Sequence, residues 1–129
     1  MSAGQSDRLI IALVEDDSFM ADLVCDMLST FGVEAEVFSL GNDFLKSQNL
    51  SKYKIVILDL SLPDIDGFDI MEKLASEFIG MSLVLISGHD LAVVRAAKVL
   101  GNGLGLRVRG ALTKPFTRDE LSLALGLSL

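Results

Sequence analysis

The most informative part of this chain reads Lys54-Ile55-Val56-Ile57-Leu58-Asp59-Leu60-Ser61-Leu62-Pro63-Asp64-Ile65-Asp66-Gly67. Its apolar, partly β-branched beginning predicts a buried strand at residues 54–58. One carboxylate, Asp59, follows the strand, and residues typical of turns come next. In an open α/β sheet, ligands bind beyond the carboxyl ends of the strands, and a carboxylate buried there needs a cationic partner. Asp59 is therefore either a site residue or an ordinary turn aspartate.

Apolar, strand-like blocks alternate with helix-like segments along the rest of the chain. The pattern predicts strands at residues 9–14, 34–38, 54–58, 81–86 and 107–112. It predicts helices at residues 18–30, 42–48, 68–78, 90–100 and 117–127. Thr117 and Glu120 have the spacing of a capping box at the start of the last helix. This alternation is typical of a parallel sheet with right-handed crossovers and helices on both faces.

Length and composition exclude several classes of protein. The 129 residues suffice for one domain, which we place at residues 8–129 after a polar tail at 1–7 that is expected to be disordered. A net charge of −7 argues against direct binding of nucleic acid. No apolar block reaches the roughly 18 residues of a membrane span. A single cysteine, Cys25, permits no internal disulfide, which suits the cytoplasm.

Polar residues of particular kinds follow four of the predicted strands. They are Glu15-Asp16-Asp17, Asp59, Ser87-Gly88-His89 and Thr113-Lys114-Pro115-Phe116. Parallel strands end at one edge of the sheet, so carboxylates, a hydroxyl and an ammonium should meet in one crevice. Glu15, Asp16 and Asp59 would repel one another unless a proton or a cation intervened, and oxygen ligands favour Mg²⁺. Together with Lys114 and Ser87, such groups can hold a phosphoryl group during transfer.

These motifs resemble the receiver domain of two-component response regulators over about residues 9–127. The segments that carry the resemblance are Val14-Glu15-Asp16-Asp17, residues 59–67, Ser87-Gly88 and Lys114-Pro115-Phe116. The resemblance implies a flavodoxin-like (βα)5 three-layer sandwich with a five-stranded parallel sheet of order 2-1-3-4-5. It also implies a cytoplasmic phosphorelay module that takes a phosphoryl group from a phosphohistidine and switches an output surface. The donor would be a histidine kinase or a histidine phosphotransfer protein.

Carried over residue by residue, the resemblance implies a metal site. Asp16 would bind Mg²⁺ directly, together with Asp59 and the main-chain carbonyl of Ser61. Glu15 would act on the metal mainly through water. Asp59 would also be the phosphoacceptor.

The resemblance also implies roles around the phosphoryl group. Ser87 would donate a hydrogen bond to a phosphoryl oxygen, and Lys114 would pair with that oxygen and with the carboxylates. The peptide before Pro115 is commonly cis in this family. Gly67 would permit the turn into the third helix.

Several neighbouring residues have simpler interpretations. Asp17 has the position of a helix N-cap, and Asp64 and Asp66 look like turn and first-turn helix residues. His89 is either an exposed loop residue or a residue that influences hydrolysis of the phosphoryl group. Residues 101–105 superficially suggest a dinucleotide loop, but they precede a strand, so we interpret them as a helix stop and a flexible connection.

The chain departs from the receiver pattern at two places. The aromatic residue usual three positions before the lysine is replaced by Ala111, so a ring flip cannot report the state of Asp59. The segment from Ser87 to Lys114 is also longer than usual, with the surplus at residues 99–108. Residues 104–116 look like receivers that are joined to EAL-type cyclic-di-GMP phosphodiesterase domains. This second resemblance implies a downstream EAL-type output domain.

The fourth and last helices are rich in apolar residues. Leu91, Val93, Val94, Val99 and Leu100 lie around much of the fourth helix, and Leu121, Leu123, Leu125 and Leu127 recur in the last. These residues fit either core packing with scattered exposed leucines or an interface. The second interpretation predicts a homodimer or docking face at the fourth helix, fifth strand and fifth helix.

Two other functions compete with the phosphoacceptor. A Mg²⁺-dependent phosphatase of the haloacid dehalogenase type also uses a strand-end aspartate, but it needs a second aspartate two positions later, where this chain has Ser61. A pseudo-receiver that only binds partners would be expected to lack Asp59, one of the acidic pair or Lys114. We therefore expect a signalling module that is not an enzyme beyond its own phosphorylation and dephosphorylation.

Overall fold

The computed structural model describes residues 10–77, 80–88 and 90–127. Within these ranges five strands alternate with five α-helices. The strands are β1 (Ile10–Val14), β2 (Glu34–Phe38), β3 (Ile55–Asp59), β4 (Ser82–Ser87) and β5 (Arg107–Thr113). The helices are α1 (Ser18–Ser29), α2 (Gly41–Leu45), α3 (Gly67–Ser76), α4 (Leu91–Gly103) and α5 (Arg118–Leu125), and a 3₁₀ turn covers Leu50–Lys52. The expected disordered tail at residues 1–7 lies outside the described residues.

The five strands form one parallel sheet in the order β2-β1-β3-β4-β5, which confirms the predicted order. Every residue of β3 and β4 is buried, as expected for strands covered on both faces. Val56 and Leu58 point into an apolar cluster with α2, α3 and α4. Ile55 and Ile57 point into the opposite cluster with α1 and α5. The domain is therefore a three-layer sandwich.

Local capping fixes where the helices beside the site begin. The Asp17 carboxylate accepts hydrogen bonds from the Phe19 and Met20 amides, at 2.9 and 3.2 Å, which confirms Asp17 as the N-cap of α1. Thr117 and Glu120 form the predicted capping box of α5. Such caps typically contribute about 1 kcal/mol each. As a result, α1 starts immediately after the acidic run that follows β1.

The helix α4 is longer than predicted. We predicted a helix stop at residues 101–105. This was wrong for residues 101–103, because the helix continues through Gly103. Gly101 is buried where a Cβ would lie 2.6 Å from Val108 Cγ2 and 2.9 Å from Met71 Cε, so the helix needs glycine there to pack on β5. The stop comes at Gly105, whose φ of +82° suits a residue without a side chain.

Two aspartates after β3 differ from their predicted roles. Asp66 is the N-cap of α3, outside its first turn, and accepts a hydrogen bond from the Phe68 amide at 2.8 Å. Asp64 is more than a turn residue, because its carboxylate binds the first amides of the short helix α2. That helix covers five residues instead of the seven predicted.

The leucines of α5 divide between core and solvent. Leu121 and Leu125 are buried, whereas Leu123 is 81% exposed. On α4, Val94 is buried and Val99 is 73% exposed. Both helices therefore pack one side on the sheet and leave isolated apolar residues outside. None of the helices in the described part of the chain is long and apolar enough to cross a membrane.

Candidate functional site

Two neighbouring strands bring Glu15 and Asp59 together. Val14 at the end of β1 is in register with Leu58 of β3, so the next residue of each strand lies at the same edge of the sheet. Both carboxylates are buried, with Glu15 1% and Asp59 2% exposed. Asp16 follows directly but is exposed. Burial of two adjacent carboxylates is costly unless a cation is present to pair with them.

Lys114 supplies the cation from the end of β5. Its Nζ lies 2.7 Å from Glu15 Oε1 and 3.1 Å from Asp59 Oδ2. Its main chain is held at the end of β4, because the Lys114 amide donates to the carbonyls of Ser87 and Gly88 at 2.9 and 3.0 Å. Burial lowers the pKa of Lys114, but the contacts with Glu15 and Asp59 outweigh that effect and raise it above its usual value. The ammonium therefore remains charged at neutral pH.

The remaining oxygens of the two carboxylates have different surroundings. Asp59 Oδ1 accepts a hydrogen bond from the Ser61 amide at 2.9 Å, and Glu15 Oε2 accepts one from the Asp17 amide at 3.2 Å. Glu15 Oε1 is buried and has the Lys114 ammonium beside it, but it lacks a hydrogen bond of regular geometry within the described residues. Burial, reinforced by the Asp59 carboxyl group, raises the pKa of Glu15 to about 7.

The three carboxylates can share one cation. One oxygen from each of Glu15, Asp16 and Asp59 lies within 4.8 Å of the others. With Lys114 included, the fully ionised group carries two excess negative charges, which one divalent cation would neutralise. The excess negative charge and the all-oxygen donor set fit a hard ion such as Mg²⁺.

The other predicted site residues lie around this centre in different ways. Ser61 contacts Asp59 through its amide, a contact that the sequence did not specify. Ser87 is buried at the end of β4 and is tied to Lys114 through its main-chain carbonyl. The Lys114–Pro115 peptide is cis, as the resemblance implied. His89 lies outside the described residues.

Ala111 lies on β5, at the position where receiver domains usually carry an aromatic residue. Ala111 pairs with Leu85 of β4 and is half-buried against the apolar cluster shared with α2, α3 and α4. A methyl group has no rotamers, so this residue cannot switch between an inward and an outward conformation.

The fold and the site together define a doubly wound α/β domain with an acidic, lysine-bridged crevice at the carboxyl edge of its sheet. A family model described as "Response regulator receiver domain" matches residues 11–126. The chain belongs to this family of receiver domains in two-component systems.

Relatives agree with this assignment. The chain is 30% identical over 111 residues to the cell cycle response regulator CtrA of Brucella ovis, a match that covers 86% of this chain and 46% of the relative. The chain thus spans about half the length of the curated relatives it matches.

Solved structures also resemble this domain. A response regulator from Colwellia psychrerythraea is 33% identical, with a TM-score of 0.79 over 92% of this chain and 94% of that one. The receiver domain of a putative Luxo repressor protein from Vibrio parahaemolyticus has a TM-score of 0.80 over 92% of this chain and 88% of that one. At 24% identity, that second structure supports the fold alone.

Proposed function

We propose that Asp59 accepts a phosphoryl group from a phosphohistidine on a partner protein and that its phosphorylated state switches an output surface. The observation that carries this proposal is the buried Asp59 carboxylate with the Lys114 ammonium 3.1 Å from its Oδ2, beside Glu15 and Asp16. A buried carboxylate that is paired with an ammonium can act as a nucleophile. A cation beside it can stabilise the charge on a transferring phosphoryl group.

The transfer is a displacement at phosphorus. An oxygen of Asp59 attacks in line, an O–P bond forms as the N–P bond of the phosphohistidine breaks, and the imidazole leaves with the electron pair. Lys114 stabilises the charge on the phosphoryl oxygens, and the Ser87 hydroxyl donates to one of them. The Ser61 amide holds Oδ1 and thereby orients the nucleophile.

Mg²⁺ is the proposed cofactor. Asp16, Asp59 and the main-chain carbonyl of Ser61 would bind it directly, with Glu15 acting mainly through water. When bound, the ion would neutralise negative charge on the attacking carboxylate and on the phosphoryl group. The raised pKa of Glu15 supports this proposal, because it reflects a buried carboxylate beside Asp59 whose charge the Lys114 ammonium does not fully offset.

The partners follow from the same chemistry. The donor is a histidine kinase or a histidine phosphotransfer protein in the cytoplasm, and the module spans residues 8–129.

An EAL-type output domain downstream remains a proposal from the sequence of residues 104–116. A homodimer through α4, β5 and α5 is a proposal from the apolar residues of the two helices, of which Leu91, Val99 and Leu123 are exposed. Light scattering should show a larger mass when beryllofluoride is added; an unchanged monomer would contradict the dimer.

The phosphoacceptor is tested with radiolabelled acetyl phosphate and Mg²⁺. The wild-type chain should incorporate label that hydroxylamine removes, as expected for an acyl phosphate. Asp59→Asn should incorporate none, whereas Asp22→Asn, which changes an exposed aspartate of α1, should label like the wild type. Equal labelling of Asp59→Asn would refute the assignment. Absence of label in the wild type would favour a pseudo-receiver. Turnover of a phosphate monoester, which a receiver does not use as a donor, would favour a phosphatase.

A further inference from the structure

The helix α2 begins without a cap of its own. Its N-cap residue is Leu40, whose apolar side chain cannot accept a hydrogen bond from the helix amides. The Asp64 carboxylate takes this role from the loop after β3. Its Oδ1 accepts from the Gly41 amide at 3.0 Å and its Oδ2 from the Asn42 amide at 2.9 Å. A charged carboxylate at a helix N-terminus is the favoured arrangement, and these hydrogen bonds lower the pKa of Asp64.

Close packing reinforces this attachment. Gly41 is buried at a point where a Cβ would collide with Ile65 Cγ2 and would lie 2.7 Å from Ile70 Cδ1. The start of α2 therefore lies directly on residues 60–66, which we call the β3–α3 loop. A side chain at position 41 would push Ile65 and Ile70 away, so glycine permits this close packing. Movement of the loop relative to the helix would break this packing together with the hydrogen bonds of Asp64.

The other end of the β3–α3 loop is attached to the proposed phosphoacceptor. The Ser61 amide donates to Asp59 Oδ1, and the Leu60 amide donates to the Ile86 carbonyl of β4 at 2.9 Å. A phosphoryl group converts one carboxylate oxygen into the bridging oxygen of an acyl phosphate and leaves the other as a neutral carbonyl oxygen, so both become weaker acceptors than they were in the carboxylate. Phosphorylation therefore weakens both contacts of the carboxylate, the hydrogen bond from the Ser61 amide and the contact with the Lys114 ammonium.

From these contacts we infer that Asp64 couples the β3–α3 loop to α2, so that the position of α2 reports the state of Asp59. This inference rests on the proposed function and adds the route by which the state is reported. The alternative route through β5 lacks a movable side chain at Ala111. A groove of about 380 Å³ between α2 and α3 is lined by Asn42, Leu45 and Lys73, so a shift of α2 changes the shape of the surface there.

Amide NMR of the whole chain tests the inference, with beryllofluoride and Mg²⁺ as the probe. The fluorine signal of bound beryllofluoride and a shift of the Ser61 amide signal show whether the probe is bound at Asp59. In the wild type, the Gly41 and Asn42 amide signals should shift on binding. In Asp64→Ala the Ser61 signal should still shift, while the α2 shifts are lost. Asp64→Asn keeps one acceptor oxygen and should retain part of the response. Asp43→Asn, an exposed acidic residue of α2, should respond like the wild type.

The possible failures can be told apart. If the probe binds and Ser61 shifts while Gly41 and Asn42 of the wild type do not, Asp64 is only a structural cap and the inference is wrong. An undiminished α2 response in Asp64→Ala would also overturn it. If no bound beryllofluoride appears in the wild type, the proposed function fails first, and the inference fails with it.

Discussion

Two segments lead away from the Asp59 pocket, and they differ in how they are attached to it. The β3–α3 loop is bound to Asp59 through the Ser61 amide and to α2 through both oxygens of Asp64. The strand β5 reaches the pocket through the Lys114 ammonium and carries only a methyl group at Ala111. The first attachment is directional and continues into a helix, whereas the second is an ion pair without a movable side chain behind it. We infer from this difference that Lys114 on the β5 side serves phosphoryl transfer, whereas the β3–α3 loop transmits the state of Asp59 to α2.

The largest effect is expected when the β5 attachment is removed. In metal-free protein, Lys114→Met leaves Glu15 and Asp59 buried without their ammonium, which should destabilise the fold by about 3 kcal/mol. Urea unfolding in EDTA measures this, and Lys46→Met, at an exposed lysine, is the control. Addition of Mg²⁺ should recover part of the loss. Equal stability of Lys114→Met and wild type would mean that the ion pair contributes little.

The next effect concerns Glu15 and depends on pH. Because its folded pKa is raised to about 7 from 4.5, its contribution to stability is complete below pH 4.5 and is lost as the pH rises through about 7. Without metal, Glu15→Gln should therefore be more stable than the wild type by roughly 2 kcal/mol near pH 8. The stabilities of the two proteins should become equal at about pH 4. A difference that does not vary with pH would contradict the assigned burial of a carboxylate.

Removal of the loop attachment should have a smaller and more local effect. Asp64→Ala deletes the cap of α2, so the loss of stability should be smaller than for Lys114→Met and confined to this helix. Hydrogen exchange should accelerate most at the Gly41 and Asn42 amides, which lose their acceptor, and less at the Phe44 and Lys46 amides within the same helix. Asp43→Ala removes an exposed carboxylate from the first turn of the same helix and should accelerate those amides much less, because the Asp64 cap stays in place. A uniform acceleration throughout the domain would show that the cap is not local to α2.

The smallest effect is expected at Ala111. Ala111→Gly removes one methyl group from a strand and should cost roughly 0.5 to 1 kcal/mol. The shifts of the Gly41 and Asn42 amides on beryllofluoride binding should stay as in the wild type. A loss of those shifts would show that β5 takes part in reporting and would remove the contrast between the two attachments.

Much of the fold could be predicted because local signals agree with the tertiary structure. The apolar run before Asp59 and the capping box at Thr117 and Glu120 fixed β3 and the start of α5. Residues 101–103 were misjudged because tertiary packing overrides the weak helix propensity of glycine: Gly101 is needed against Val108 and Met71.

The candidate site could be predicted in its composition but not in its contacts. Strand ends placed Glu15, Asp59 and Lys114 at one edge, and the structure brings them within ion-pair distance. Neither the Ser61 amide on Asp59 nor the long-range cap from Asp64 has a sequence signal of its own. The Asp64 cap bonds to amides 22 and 23 positions away in the sequence, and the prediction of this helix from residue 42 onward gave no indication of it.

The central claim is that Asp59 carries the phosphoryl group, and chemical mapping of that residue tests it most directly. Chain treated with acetyl phosphate and Mg²⁺ is reduced with borohydride, which converts an aspartyl phosphate to homoserine, and its peptides are sequenced by mass spectrometry. The account predicts homoserine at position 59. Homoserine at another aspartate, or phosphate retained on a serine such as Ser61 with Asp59 intact, would contradict it.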